Sequence, residues 1–343
     1  MIQGGRDERA DAASVFEIRG HSGPRQDQAT ASDAEESVEA MEMILRGEAL
    51  PEQIGAFLML LRLKEEAPEE IAGFTMGTRR TFQVPDDIPL VDIDWSSYAG
   101  KRVQLPWFVL SVMALVDAGH SVLMHGTEGH TAGRIYTRGV LEGLGFPAAG
   151  TLSEAADQVR ARRFAYVPLE VMSPALRHLI DLRPVFGLRS PVHSFSRMLN
   201  PFDAPTVMQG IFHRGFMDIH SGAARLLDIT NMAVFRGEGG EIERRPNKPT
   251  QVWTTHGDAE PVIENWPQIL SEGHQPPDEG MDTGRLLQVW RGEVADRYAE
   301  ATITGTIAVT LRTMGKAGSL AEAEEMGRAL WSARDRDFLP ARA

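Results

Sequence analysis

The sequence predicts an α/β protein: a small N-terminal helical domain, then a larger α/β domain with a mostly parallel sheet flanked by helices. Three observations predict it. Apolar residues recur at helical spacing through residues 31 to 80. Beyond residue 90 the texture changes to short β-rich runs, "SVLMHG", "FAYVPL", "TVMQGIF", "NMAVFRG" and "TQVWTT". Helical patterns lie between several of those runs, and such alternation implies parallel strands joined by crossover helices.

The elements follow in chain order. Residues 1–30 are polar and rich in Gly, Asp and Arg, which predicts a flexible arm. Residues 31–90 form the expected helical domain. Val38, Met41, Ile44 and Leu45 make one apolar stripe, and Ile54, Phe57, Leu58 and Leu61 make a second behind Pro51. "PEEIAGFTMGTRRTF" starts a third helix at Pro68. Three short amphipathic helices leave apolar surface to bury against a second domain or a partner. Residues 91–343 form the expected α/β domain. Its crossover helices are predicted at "GRIYTRGVLEGLG", "PALRHLIDLRPVFG" and "GFMDIHSGAARLLD". Residues 280–315 return to helix, and some C-terminal helices are expected to pack on the helical domain.

Composition narrows the function. Among 343 residues, 42% hydrophobic and 24% charged content is ordinary for a globular chain. Without cysteine, the chain has no disulfide, thiolate metal site or thiol nucleophile. No apolar run reaches the roughly 18 residues of a membrane span, so a cytoplasmic protein with no membrane partner is expected. The net charge of -13 divides unevenly, with -11 over residues 1–99, +4 over 100–250 and -6 beyond. Such a total disfavours tight nonspecific binding to nucleic acid. The basic middle suits a local anion site.

The run "VLMHGTEGH" empties an apolar strand into a Gly-rich turn before a helix, a layout that suits an anion site. His125, Gly126 and Thr127 are its candidates. His125 either lines a pocket or holds the turn. Lys101 and Arg102 either grip a phosphate or form a solvated basic pair. Arg160 to Arg163 read as a helix end, Gly237 to Gly240 as one turn, and His193 and His213 as structural or surface residues.

Several segments together resemble anthranilate phosphoribosyltransferase and its glycosyl transferase relatives. They are "RGEALPEQIGAFLMLLRLKEEAPEEIAGFTMGTR", "LMHGTEGHTAGRIYTRGVLEGLGF", "LRPVFGLRSPVHSFSRMLNPFDAPTVMQGIF" and "VFRGEGGEIER". The resemblance runs over roughly residues 32–245. It implies transfer of a ribosyl group from a phosphorylated sugar donor, with Mg²⁺, in a homodimer joined through the N-terminal helices. Arg183 falls where the family contacts its aromatic carboxylate substrate, Arg189 at its second arginine, and Asn200 in the same motif. Glu241 and Glu243 lie at or beside the family's magnesium-binding pair. Here they serve either as weak metal ligands or as a solvated loop.

The departures are specific. The family's "GTGGD" loop should fall near residues 94–100, where this chain reads "DWSSYAG". Ser97, Tyr98 and Gly100 therefore stand at its phosphate position. At the "KHGNR" motif, Met124, Thr127 and Glu128 replace the Lys, Asn and Arg. "SSYAGKR" resembles a divergent branch with a "SYNGARKQ"-like segment. That branch implies lost anthranilate activity and, in some members, nucleic-acid binding. An anion ligand requires Lys101, Arg102, Arg134, Arg138 and Arg183 to converge without neutralisation by Glu128 and Glu142.

Overall fold

The computed structural model describes residues 31–340 apart from 274 and 279. The arm expected over 1–30 lies outside the described residues. Three helices come first: α1 (Ala31–Leu45), α2 (Pro51–Lys64) and α3 (Pro68–Arg79). Proline opens α2 and α3, where a missing N–H costs nothing. Gln53 and Glu70 then accept the backbone N–H of Leu50 and Ala67 at 2.8 and 3.1 Å. Gly73 and Gly77 let α3 lie directly on α1, because a Cβ at either would stand 2.5 Å from an α1 carbonyl. The stripe predicted from Val38, Met41 and Ile44 is buried in that contact.

Seven strands form one sheet: β1 (Ile93–Ser97), β2 (Val122–Gly126), β3 (Phe164–Pro168), β4 (Thr206–Ile211), β5 (Asn231–Arg236), β6 (Thr250–His256) and β7 (Val262–Trp266). Their order is β3-β2-β1-β4-β5-β6-β7. The first five are parallel, and β6 and β7 add antiparallel. The order reverses at β1 and β4. The crevice outside the carboxyl ends of those strands is where open α/β sheets bind ligands.

Eleven further helices follow α3 among the described residues. In chain order they are α4 (Phe108–Asp117), α5 (Thr137–Gly143), α6 (Leu152–Arg162), α7 (Leu169–Met172), α8 (Pro174–Asp181) and α9 (Arg183–Phe186). Then come α10 (Val192–Phe195), α11 (Phe216–Leu226), α12 (Gly284–Arg291), α13 (Arg297–Thr313) and α14 (Leu320–Ala333). Alternate strand residues face two layers, as the pleat requires. On one face Ile93, Trp95, Met124, Tyr166 and Met208 pack under α4 and the C-terminal helices α13 and α14. On the other, Leu123, Val167, Val207 and Val234 pack with the helical domain. The C-terminal helices thus cover the sheet face opposite the helical domain, not the helical domain itself. Threonines 302, 306, 310 and 313 allow this burial by returning each hydroxyl to the carbonyl four residues back. No helix among the described residues is long and apolar enough to cross a membrane.

Candidate functional site

β1 is the one parallel strand that the apolar pattern does not announce. Two of its buried polar residues, Asp94 and Ser97, have partners delivered by the fold, while the Ser96 hydroxyl is buried without one. Asp94 sits against His125 on β2, whose Nε2 lies 3.2 Å from Asp94 Oδ1. His125 Nδ1 lies 2.9 Å from the Tyr98 hydroxyl. With Nε2–H donating to the carboxylate, Nδ1 accepts from Tyr98. His125 is fully buried with both ring nitrogens occupied, so it holds the two strand ends together. Burial pushes the Tyr98 phenol well above its usual range. Gly126 completes the seam: a Cβ there would overlap the Ser97 carbonyl.

Beyond β1 the chain turns through Tyr98, Ala99 and Gly100. Gly100 takes φ +69°, and a Cβ would press on the Tyr136 ring at 2.9 Å. The turn aims successive N–H groups at one point, as an anion cradle does. That point is occupied by the chain itself. Glu241 Oε1 accepts from Ala99 N–H at 2.7 Å and Gly100 N–H at 2.6 Å. Its Oε2 accepts from Ser97 Oγ at 2.9 Å, and Ser97 Oγ lies 2.6 Å from the Thr137 hydroxyl. Gly210 and Gly237 clear the path, since a Cβ at either would overlap the Glu241 main chain.

Glu243 is bound in the same way. It accepts from Lys101 Nζ and, at 2.9 Å, from Phe108 N–H at the start of α4. Burial pushes its carboxyl up to about 7, against the lowering pull of Lys101. Glu241, Glu243 and Lys101 are all buried, so the solvated alternative is corrected for the two carboxylates and for Lys101, while Arg102 alone is solvated. Arg244 and Arg245 do not solvate the segment either. Arg244 is buried, bridges Glu324 at 3.0 Å and lies over the Trp266 ring. The donor set does not fit Mg²⁺: the oxygens of both carboxylates already serve internal donors. Among the described residues no group of three or more His, Asp or Glu is arranged to hold a metal.

The other sequence candidates separate. Arg102 is exposed. Asn200 is buried, and both ends of its amide bind the Ala204 backbone, at 3.0 and 2.9 Å, so it shapes its own turn. The Thr127 hydroxyl accepts from Arg177 at 2.9 Å. Arg138 bonds Glu142 at 3.1 Å and approaches Glu170 at 3.4 Å. This rim, with Glu128 beside it, holds more carboxylates than arginines, so it offers no spare positive charge. Burial raises the Glu128 carboxyl above its ordinary value.

Arg134 and Arg183 do converge, and Arg189 and Arg197 join them. Arg183 donates to His130 O at 2.7 Å and Thr131 Oγ1 at 2.5 Å. Arg134 donates to the carbonyls of Ala99 and Gly100 at 2.9 and 3.0 Å. Arg197 donates to those of Gly210 and Gly240 at 3.1 and 3.3 Å. Arg189 makes no hydrogen bond or ion pair among the described residues. Burial, then the charges of Arg183, Arg197 and Arg134, lower its guanidinium to about 10. His130 and His193 stand 5.6 Å apart, ring to ring, in the same cluster. Both are lowered to about 3, by burial first and then by neighbouring positive groups. The sequence reads His193 as structural or surface, and it stands in this cluster with Nδ1 3.3 Å from the Ser190 carbonyl; His213 is exposed. Arg134 is among the cations whose convergence the sequence requires for an anion ligand; Arg197, His130 and Ser190 escape sequence reasoning.

A mostly parallel sheet with a helical domain on one face and a glycine-shaped turn at the switch point define a two-part α/β architecture. Known proteins make the class specific. Residues 31–81 match the model of the helical bundle domain of the glycosyl transferase family. The anthranilate phosphoribosyltransferase of Thermomicrobium roseum is 26% identical over 307 residues, 86% of this chain and 87% of its own. That of Polynucleobacter necessarius is 26% identical over 224 residues, and this alignment spans 64% of each chain. Among solved structures, the Thermus thermophilus enzyme superposes with a TM-score of 0.76 at 20% identity, covering 96% of this chain and all of the other. The Saccharomyces cerevisiae enzyme in complex with PRPP and Mg gives 0.73 at 18%, covering 96% and 97%. Together these matches show that the chain shares the fold of the anthranilate phosphoribosyltransferases and is similar to them in sequence, with a glycosyl transferase helical bundle domain over residues 31–81.

Proposed function

We propose that this chain is a glycosyl transferase-like protein that binds an anion at its arginine cluster and does not turn over anthranilate with PRPP. The observation that carries this reading is Glu241. Its carboxylate takes the backbone N–H groups that stand at the family's diphosphate loop. A diphosphate brought there meets a buried negative charge, which repels it strongly where water is excluded. Glu128 and Met124 at the next motif remove two of the cations that would offset that charge.

The test is direct. Purified full-length protein with anthranilate, PRPP and Mg²⁺ gives no phosphoribosyl anthranilate above the uncatalysed background. Turnover in the ordinary enzyme range of about 1–10³ s⁻¹ would sink the reading. Self-association through the helical domain belongs to the same proposal. Leu60 and Leu63 of α2 face solvent at 48% and 83% exposure, and a pair of copies would cover them. Sedimentation at the mass of one chain would exclude that dimer. A nucleic-acid partner draws no support from the geometry. The arginines meet at one place in a cleft instead of forming a stripe, and the chain carries -13.

A further inference from the structure

The arginine cluster has a feature that its surroundings lack. Ion pairs serve Arg138, Arg160, Arg177, Arg225, Arg244, Arg285 and Arg312. None serves Arg134, Arg183, Arg189 or Arg197 among the described residues. Among the described residues Glu241 acts on Arg197, and it is already held by three donors. Four polar atoms in this neighbourhood are also buried without a partner: Ser190 Oγ, His193 Nε2, His130 Nε2 and Arg134 Nε. Ser190 as a whole is only 4% exposed. Buried polar atoms ordinarily find partners, and leaving one unmet costs roughly 1–3 kcal/mol. Four at one place, among four cations, point to a ligand.

We propose that Arg134, Arg183, Arg189, Arg197, Ser190 and His193 form a binding site for the dianionic phosphate group of a phosphomonoester. It rests on reading the cleft as an anion site and adds the chemical class of the anion. The number of charges decides the class. A monocarboxylate cancels one of several mutually repelling guanidiniums, and its planar pair of oxygens is satisfied by one arginine fork. Here the cations arrive from separate segments: the loop after β2, helix α9, the turn before α10 and the 3-10 turn Ser196–Met198. A tetrahedral dianion presents oxygens in several directions and carries two charges. The Ser190 hydroxyl is a neutral donor suited to one of those oxygens.

Calorimetric titration of the full chain at pH 8 and fixed ionic strength tests this, with inorganic phosphate, ribose 5-phosphate and benzoate as probes. Phosphate binds saturably at one site per chain, and benzoate at least tenfold more weakly. Ribose 5-phosphate binding tenfold tighter than phosphate assigns the site to a sugar phosphate; equal binding assigns it to free phosphate. Arg189→Gln weakens phosphate at least tenfold yet raises Tm in ligand-free buffer, because it removes repulsion and breaks no bond. A purely structural arginine gives the opposite Tm shift. If Arg189→Gln does not fold, Arg189→Lys keeps a point charge without the fork and still weakens phosphate severalfold. Arg102→Gln, an exposed change, leaves affinity within twofold. Benzoate binding as tightly as phosphate, unchanged affinity in both Arg189 variants, or binding of a single-stranded oligonucleotide alone overturns the proposal. Absent phosphate binding with no anthranilate turnover defeats this inference alone, whereas anthranilate turnover defeats the reading beneath it.

Discussion

The two ends of the cleft differ in how their charges are met. At the β1 turn every charge has an internal partner: Glu241 takes two backbone N–H groups and a serine, and Glu243 takes Lys101 and Phe108 N–H. At the other end, four arginines share one neighbourhood with no ion pair among the described residues. Both ends are basic in sequence, and a count of cations does not distinguish them. What separates them is supply of carboxylate. Glu241 and Glu243 are held at the β1 turn, and Glu241, which also acts on Arg197, is already taken by three donors there. A closed site stabilises the fold, and an unmatched one stores repulsion that a ligand relieves.

Removing a partner from the closed end produces the largest effect. Lys101→Met leaves the Glu243 carboxylate buried beside an apolar side chain. Breaking a buried pair in this way costs about 3–5 kcal/mol. Urea unfolding measures it as a lower midpoint at unchanged slope. Lys101→Met with Glu243→Leu removes both charges and recovers much of that loss. A single variant as stable as the parent would mean that the β1 end is not closed, and the contrast between the ends would fail.

The legibility of this fold divides along the same line. Strands β2 to β6 were readable because they are apolar runs, and α1 to α3 because their stripes keep helical spacing. β1 escaped because "IDWSS" is half polar. Asp94 and Ser97 are buried for reasons that lie elsewhere in the chain, at His125 for Asp94 and at Thr137 and Glu241 for Ser97. β7 escaped as an exposed edge of modest hydrophobicity. At the site, the resemblance marked Arg183 and Arg189, and the geometry brings them together. It did not reveal that Glu241 folds back 141 residues to fill the Gly100 turn, because no local pattern encodes that pairing. Lys101 looked like a free cation for the same reason. Arg197 and Ser190 gave no local signal, since one arginine in "SFSRMLN" resembles any surface arginine until its neighbours are known.

A smaller effect, with opposite signs at the two ends, comes from pH. In the arginine cluster the folded imidazoles of His130 and His193 take protons only near pH 3, against 6.5 for an ordinary histidine. Between those values the unfolded chain binds more protons, so stability is fully present above about pH 6.5 and declines as pH falls. Lowering pH from 7.5 to 6 costs roughly 0.5–1 kcal/mol for each imidazole. At the closed end Glu243 works the other way. Its folded value near 7 exceeds the ordinary 4.5, so the folded state takes the proton first and gains stability over the same interval. Two imidazoles outweigh one carboxyl, and His220, also lowered to about 3 by burial, adds to them. Urea midpoints measured from pH 7.5 to 6 should therefore fall, and fall less in His193→Gln. Saturating phosphate sharpens the comparison. A bound dianion makes protonation of His130 and His193 favourable in the folded state, so the decline flattens. If phosphate leaves the slope unchanged while still binding, the imidazoles and the arginines do not share one site. If His193→Gln steepens the decline, the cluster is not the source of the acid sensitivity.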